Sequence, residues 1–477
     1  MNHSYRKWMA RFILAGMLLT ASLPAAQAAR VSTLRGGVTP NRARVVMNLD
    51  APLSYTARVT GNQLIIDLKG KAERTEMVRL RDPRIQKAYL EPQGRNSRLV
   101  VVFRKTVPVY KIFLLKNPQR LVVDFPRSGS TGGSTAKPAA GKSQWLGKGL
   151  TYRESTVNLG AGRVKTYLLT LAPSSDFRLD FIPGYGKTIQ RGTLSMIQKR
   201  SGAVALVNAS YFDSDIWVVG NLKIQDKWLG MESTPRTGLV IPRTGAPSIQ
   251  PGLSYSGTVT RPDGKTFAIG GVDRMRLANE LILFNDGYDD TTDTNAYGTE
   301  VRLAGGVVRE IRKGAGSMAL TPGTTVLSGN GAAAAFLNGL RTGDPVKVTQ
   351  TLGNAAADSA PSVGSAGPQL VRDGRVQVTS EEEEIADDIA LGRAPRTGVG
   401  IKKDGTVLVV VADGRSDDSV GMTLTEFGRY FVQLGADRAM NFDGGGSSEM
   451  VVNGKIMNDP SDGTERPVRV ALGVFRK

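Results

Sequence analysis

The 477-residue chain has no cysteine, and its one histidine is His3. No disulfide can form, and a chain of this length, enough for two or three domains, builds cores that need no covalent staples. His3 lies in a stretch that reads as a leader. Arg6 and Lys7 precede an apolar run from Phe12 to Leu19, then Pro24 and the small-residue group Ala26-Gln27-Ala28 before Ala29. That order predicts a secretory signal peptide over residues 1–28 and an exported, periplasmic or envelope-associated product. The apolar run falls well short of the roughly 20 residues needed to span a bilayer, and no later segment is apolar enough to do so. Once the leader is gone, neither His nor Cys remains. This excludes Ser-His-Asp and Cys-His triads and any His- or Cys-ligated zinc, including that of the zinc amidases. Chemistry is left to carboxylates, Arg, Lys, Tyr, Ser, Thr and backbone amides. Any metal, whose ligands the sequence does not identify, would be Ca2+ or Mg2+ on oxygen ligands.

Acidic residues are scarce in one region only. Residues 30–127 hold 20 basic and 7 acidic side chains, a balance of +13, whereas residues 128–477 hold 39 and 36, a balance of +3. The basic module predicts an anionic partner; for an exported chain that is peptidoglycan or another anionic envelope glycan rather than nucleic acid, with a merely solvated basic surface as the alternative.

Within 31–127, apolar residues alternate: Val45, Met47, Leu49; Leu64, Ile66, Leu68; Leu99, Val101, Phe103; Leu121, Val123, Phe125. Turn signals at Gly61-Asn62 and Gly94-Arg95-Asn96 separate these runs, so the region predicts an all-β antiparallel sandwich. The phrases "RVVMNLDAPLSYTARVTGNQLIIDLKG" and "RLVVVFRKTVPVYKIFLLKNPQRLVVDF" resemble the AMIN domain, a module of envelope proteins implicated in peptidoglycan binding and localisation. Residues 128–144 contain "SGSTGGSTAKPAAGKS" and predict a flexible linker, which leaves 145–477 as a second, larger domain.

That larger region mixes short strands, glycine-rich turns and few helices, and predicts an α+β domain with mixed sheets. In "MTLTEFGRYFVQLGA", Thr423 and Glu426 form a capping box, Leu424, Phe427, Phe431 and Leu434 form an apolar stripe, and Gly435 stops the helix. The segment "TLSMIQKRSGAVALVNASYFD" repeats that plan and ends at Asn208 as the later one ends at Asn441; "TPRTGLVI" likewise echoes "APRTGVGI". The repetition suggests an internal duplication that pairs Arg236 with Arg396, with chance likeness as the alternative.

The sharpest segment is "NFDGGGSSEMVVNGK", residues 441–455. Successive glycines cost backbone entropy and surrender packing, so a loop that keeps Gly444, Gly445 and Gly446 needs a reason. Close approach of a ligand is one, with the N–H groups of Gly444 to Ser448 free to form an anion nest beside Asp443; an ordinary tight turn is the other.

This segment, with "GPQLVRDGR", "RAPRTGVGIKKDGTVLVVVADGR", "NELILFNDGYDDTTDTNAYGTEV" and "VNASYFD", resembles the phosphodiester glycosidase family, which includes the N-acetylglucosamine-1-phosphodiester alpha-N-acetylglucosaminidases. Two departures stand out. Glu449 takes a place where a small hydroxyl or apolar residue is expected, and "NASYF" stands where relatives often carry Asn-Gly-Gly. The resemblance implies cleavage of a sugar-1-phosphodiester at the anomeric carbon, a reaction that carboxylates and arginines can run. On it, Asp443 is nucleophile or base, and Arg396 and Arg236 clamp the phosphate. Gly444, Gly445, Gly446, Ser447 and Ser448 hold phosphate or sugar hydroxyls, and Asn208 and Asn441 offer oxygen donors to sugar or metal. Asp413 and Arg415 sit at a strand mouth, either in the site or as a salt bridge closing a turn. Glu300 is a second acid or base, or else a structural partner for an arginine. Glu465 and Arg466 complete the binding set. A non-catalytic glycan-phosphate binding protein is the alternative function. Three further signals point away from a site: "DGYDDTTDTN" lacks EF-hand spacing, the sequon at Asn208 sits too close to the expected pocket for a glycan, and the run Glu381 to Glu384 reads as a solvated face.

Overall fold

The structure is a computed structural model that describes residues 30–39, 42–51, 53–80, 82–108, 110–115, 119–126, 141–212, 218–390 and 392–477. The expected signal peptide and residues 128–140 of the expected linker lie outside the described residues. The chain divides into two units, described up to residue 126 and from residue 141 respectively.

The first unit is built from two five-stranded sheets. One runs Lys71–Ala72, Arg30–Thr39, Arg42–Leu49, Arg120–Pro126, Lys111–Leu115; the other runs Tyr55–Thr60, Gln63–Leu68, Asn96–Phe103, Ile85–Gln93, Glu76–Val78. All twelve residues of the alternating pattern are buried in one core shared by both sheets, which makes the unit a β-sandwich. Both expected turns are found, joining Thr60 to Gln63 and Gln93 to Asn96.

The second unit is mostly strand. Its largest sheet has eight strands in the order Ser143–Gly147, Leu150–Leu159, Gly162–Leu171, Val407–Ala412, Arg396–Ile401, Arg438–Asn441, Gln369–Arg372, Arg375–Val376. A five-stranded sheet (Phe177–Pro183, Val470–Arg476, Ala205–Asn208, Met450–Val452, Lys455–Ile456) shares a core with it through Val207, Leu472, Val399 and Met440. A second core, with Val259, Leu283, Val301, Leu327 and Phe336, fills a lobe between residues 231 and 363. Gly271–Val272 beside Leu281–Asn285 is the one parallel pairing among the described strands of this unit. The expected α+β domain with mixed sheets is therefore a β-rich domain with a few short helices, because short strands and tight turns favour antiparallel pairing over crossovers.

The helix Leu424–Gln433 forms as its sequence requires. Thr423 and Glu426 make the reciprocal capping box, and Leu424, Phe427 and Phe431 are buried beneath it. It packs on Arg396–Ile401 because that strand carries glycine where the helix comes closest. A Cβ on Gly398 would stand 2.8 Å from Phe427 Cε1, and one on Gly400 2.7 Å from Phe431 Cδ1. The earlier helix, Leu194–Ser201, repeats the plan with Thr193 as its cap. The likeness stops at the helix and its following strand. Arg396–Ile401 lies beside Arg438–Asn441, whereas Arg236–Ile241 lies between Ser362–Ser365 and Ser248–Leu253, in a different sheet from Ala205–Asn208.

Gly398→Ala is expected to destabilise the domain by about 1–3 kcal/mol, because the new methyl group meets an aromatic ring on one side and the Met440 carbonyl at 2.7 Å on the other. The denaturant midpoint of the variant, compared with that of the unaltered protein at an unchanged slope, measures this.

Candidate active site

Asp443 sits where the chain leaves one sheet for another. Strand Arg438–Asn441 ends in the eight-stranded sheet; after a single 3-10 turn, Gly445–Ser447, the chain enters Met450–Val452 of the five-stranded sheet. Asn208 binds both ends of this crossing. Its Nδ2 donates to the Asp443 carbonyl at 2.7 Å, and its Oδ1 accepts the Thr397 hydroxyl at 2.7 Å and the Glu449 N–H at 3.2 Å. Asn208 thus holds the loop rather than presenting a free oxygen donor. Asn441 differs: its Nδ2 donates to the Tyr211 hydroxyl at 2.8 Å and to the Phe442 carbonyl, but its buried Oδ1 has no hydrogen-bond partner among the described residues and stays free as an acceptor.

The three glycines have a geometric cause. Gly445 has φ +61°, in the left-handed region, and a Cβ on Gly446 would lie 2.1 Å from Arg466 Nη2 and 2.3 Å from Asp462 Oδ1. Side chains of the protein, not only a ligand, occupy the space that the glycines clear. The free anion nest is not found. Gly444 N–H donates to Asp443 Oδ1, Gly445 N–H to the Pro395 carbonyl, Ser447 N–H to Gly444 and Ser448 N–H to Gly445, which leaves Gly446 N–H alone without an acceptor among the described residues. The 3-10 turn consumes the Ser447 and Ser448 donors in its own hydrogen bonds, and the Asp443 side chain and the Pro395 carbonyl take two more.

Positive charge around the loop comes from arginine side chains instead. A Cβ on Gly445 would stand 3.0 Å from Arg415 Nη2, and Arg466, paired with Asp462 at 2.5 Å, borders Gly446. Arg415 is exposed and, at φ 65°, is aimed by an unusual backbone conformation. Arg396 is buried. Its Nε donates to the Met422 carbonyl, its Nη2 to those of Ile389 and Gly392, and its Nη1 lies towards Gly444. Three of its donor contacts therefore bind the protein's own backbone. Arg236 is also buried, 3.9 Å from Glu232 Oε1, and acts electrostatically on Tyr211 together with Arg396.

Several carboxyls near the loop hold their protons unusually well. Burial pushes Asp443 up to about 6, against the opposing pull of the Ser447 hydroxyl, the Gly444 N–H and Arg466. Burial and then the facing carboxyl of Glu465 push Glu449 up to about 8. Glu465 also accepts the Ser195 N–H at 2.9 Å in the first turn of helix Leu194–Ser201. Asp413 is raised by burial. It accepts the Tyr167 hydroxyl at 2.8 Å and Asn458 Nδ2 at 3.2 Å, and Asn458 in turn bonds the Ser448 carbonyl and the Met450 N–H. Asp413 braces the loop from behind through Asn458; its partners are not those of a salt bridge with Arg415.

Glu300 is not brought to the loop. It is buried in the second lobe, where it accepts the hydroxyls of Thr292, Thr294 and Ser328 and the Met318 N–H, within electrostatic reach of Arg276. The oxygen-rich loop before it is thus explained as its cradle. Among the described residues no group of three or more Asp, Glu, His or Cys side chains is spaced to hold a metal. A cavity of about 890 Å³ with Phe177, Arg178, Ile241 and Arg243 in its wall includes none of the site residues.

Sequence reading missed Tyr211, Asn458 and the role of Glu449. Tyr211 donates to the Gly367 carbonyl at 3.0 Å and stands within electrostatic reach of Asp443. Its signal was its place three residues after Asn208 in a segment already singled out. Asn458 has no local signal; only the hairpin after Met450 brings it back to the loop.

Residues 297–475 match the family model of the phosphodiester glycosidases, so the C-terminal part of the chain carries a phosphodiester glycosidase domain. Asp443, Arg396, Asp413 and Glu465 fall inside this stretch; Asn208, Tyr211 and Arg236, which the fold adds around it, precede it. The chain is 43% identical over 74 residues to an uncharacterized protein derived from the SPbeta prophage of Bacillus subtilis strain 168, covering 16% of this chain and 12% of that protein. It is 37% identical over 67 residues to the N-acetylglucosamine-1-phosphodiester alpha-N-acetylglucosaminidase of Mus musculus, covering 14% and 13%. The chain thus spans about an eighth of the length of these two curated relatives. The fold is similar to that of a hypothetical protein from Synechocystis, with a TM-score of 0.63 at 20% identity over 95% of this chain and 82% of the other.

Asp443→Asn is expected to raise stability at neutral pH. The folded carboxyl, near 6 against its ordinary 3.8, favours the protonated form, so its contribution is present below pH 3.8 and is lost as pH rises through 6. The variant should gain about 1–3 kcal/mol above pH 6 and almost nothing below pH 4, as read by thermal melts across that range.

Proposed function

We propose that this protein hydrolyses the bond between the anomeric carbon of a sugar and the phosphate oxygen in an envelope glycan or its precursor. The observation that carries the reading is Asp443, a carboxyl tuned close to neutrality on a loop bordered by Arg396, Arg415 and Arg466, within the stretch that matches the family. In this reading Asp443 attacks the anomeric carbon or takes a proton from the attacking water, and the phosphate leaves as a monoester. Arg415 and Arg466, whose guanidiniums are not bound up in backbone carbonyls, meet the departing charge. Arg396 is an anchor first, with one nitrogen directed to the loop. Glu449, whose carboxyl is raised by burial and by contact with that of Glu465, supplies a proton at neutral pH.

The first unit, AMIN-like in sequence, is assigned to the wall as an anchor for the exported chain, with anionic glycan as its partner. The other reading, a glycan-phosphate binder without turnover, draws on the three carbonyls that already occupy Arg396.

Reaction in oxygen-18 water decides between these. Label is expected at the anomeric hydroxyl of the released sugar and absent from the phosphate. Label in the phosphate would mean attack at phosphorus, and no released sugar from a panel of sugar-1-phosphodiesters would leave the binder. Activity should rise with pH through about 6 as Asp443 ionises and fall above about 8 as Glu449 loses its proton; a flat profile between pH 5 and 9 would remove both groups from the reaction.

The wall assignment is tested separately. The basic unit alone should sediment with purified wall material and come off as salt is raised, because screening shortens the reach of surface charge. Equal retention of a chain lacking residues 30–127 would contradict it.

A further inference from the structure

The run Glu381 to Glu384 is not wholly the solvated face its sequence suggests: three of its carboxylates are exposed, but Glu383 is turned inward and only 5% exposed. Its Oε2 accepts the Thr237 N–H at 2.7 Å, and its Oε1 accepts the Thr237 hydroxyl at 2.6 Å, the Gln369 N–H at 2.9 Å and the Thr379 hydroxyl. No cation pairs with it among the described residues. Desolvating a carboxylate without a counter-ion is costly, and four converging donors are what offset that cost here.

Those donors come from two walls of the Asp443 site. Thr237 follows Arg236 in strand Arg236–Ile241. Gln369 follows Gly367-Pro368, whose carbonyls accept the Tyr211 hydroxyl at 3.0 Å and the Asn441 N–H at 3.0 Å. Contact with this second wall is direct, because a Cβ on Gly367 would stand 2.1 Å from Glu383 Oε2. Tyr211 and Asn441 then flank Asp443.

We propose that Glu383 is a positioning residue, fixing the strand that bears Arg236 and the 366–369 segment at one spacing and so placing Tyr211, Asn441 and Asp443. The inference rests on the reading of Asp443 as the reacting carboxyl. Two of the four partners, the Thr237 and Gln369 N–H groups, can only donate, so each carboxyl oxygen must accept. Glutamine would replace one acceptor oxygen with an NH2 group facing a donor, and the 367–369 segment, beyond the Ala366 N–H that bonds the Thr237 carbonyl at 3.2 Å, would shift to relieve that clash.

The test uses the whole chain in three forms: unaltered, Glu383→Gln and Asp273→Asn. Asp273 is also a buried carboxyl, in the second lobe, bonded by the Asn285 N–H at 2.7 Å and not linked to the Asp443 loop, so it controls for replacing a buried carboxyl elsewhere in the domain. Isotope-edited infrared spectroscopy with carbon-13 aspartate, assigned by subtraction of Asp443→Asn, follows the Asp443 carboxyl. Turnover of a sugar-1-phosphodiester is measured beside it. For Glu383→Gln the Asp443 midpoint should fall by about one pH unit towards the ordinary aspartate range as water enters, and kcat should drop by roughly tenfold to a hundredfold with a smaller change in KM. Asp273→Asn should leave both unchanged. An unmoved Asp443 midpoint in Glu383→Gln overturns the proposal. If the unaltered protein turns over no phosphodiester, the catalytic reading fails, and the infrared arm still decides whether Glu383 places Asp443. Should Glu383→Gln not fold, Glu383→Asp, which keeps the charge but shortens the reach, carries the same measurements.

Discussion

One side-chain amide, that of Asn208, holds the candidate site together. Its two faces bond opposite ends of the loop, the Asp443 carbonyl and the Glu449 N–H, and its oxygen also takes the Thr397 hydroxyl from the neighbouring sheet. Three chain segments distant in sequence are thereby set to within a hydrogen bond of each other. A buried amide with donor and acceptor both used is rigid, because any rotation of its plane would leave at least two groups unbonded. The crossing between the two sheets can then be short and glycine-rich without being loose.

On that frame the electrostatics become intelligible. Asp443 is raised because burial outweighs the pull of its donors and of Arg466, and Glu449 because burial and the facing Glu465 carboxyl act in the same direction. Arg396 is buried and its own charge disfavoured by burial, yet its contacts are carbonyl dipoles, not a carboxylate. Had Arg396 paired with Asp443, the carboxyl would be held ionised far below neutrality and would be a poor base. Separating the anchoring arginine from the reacting carboxyl keeps both charges available.

How much of this could be read from the sequence depended on range. The period-two runs of the first unit and the capping box at Thr423 are local, and the structure contains both as expected. The glycine loop was recognisable as unusual, but its cause was not: the clash that glycine avoids at Gly446 is with Arg466 and Asp462, beyond a hairpin. The same limit hid Glu383. In a row of four glutamates nothing local marks the one that turns inward, since its donors, Thr237 and Gln369, lie on other strands. Glu300 shows the same limit from the other side, since the sequence left it open between an acid or base and a structural partner for an arginine. A carboxylate at a strand end looks reactive until its hydroxyl donors at 292, 294 and 328 fold around it.

The basic character of the first unit also gains meaning from what its acids do. Asp124 bonds Arg44 through both oxygens, Asp82 bonds Arg84, and Asp67 takes Arg58 and Arg98 together. Glu73 and Glu76 face Arg30 and Arg74. These acids are spent within the unit, each beside an arginine, so the excess of +13 between residues 30 and 127 has no acidic partner of its own to cancel it. The exposed pairs among them, such as Arg30 with Glu73, add little to stability. The field that survives them reaches about a Debye length, roughly 8 Å at physiological salt. Under the proposed reading of this unit as a wall anchor, that reach is what would let a polymer of repeated negative charge be held at several points at once.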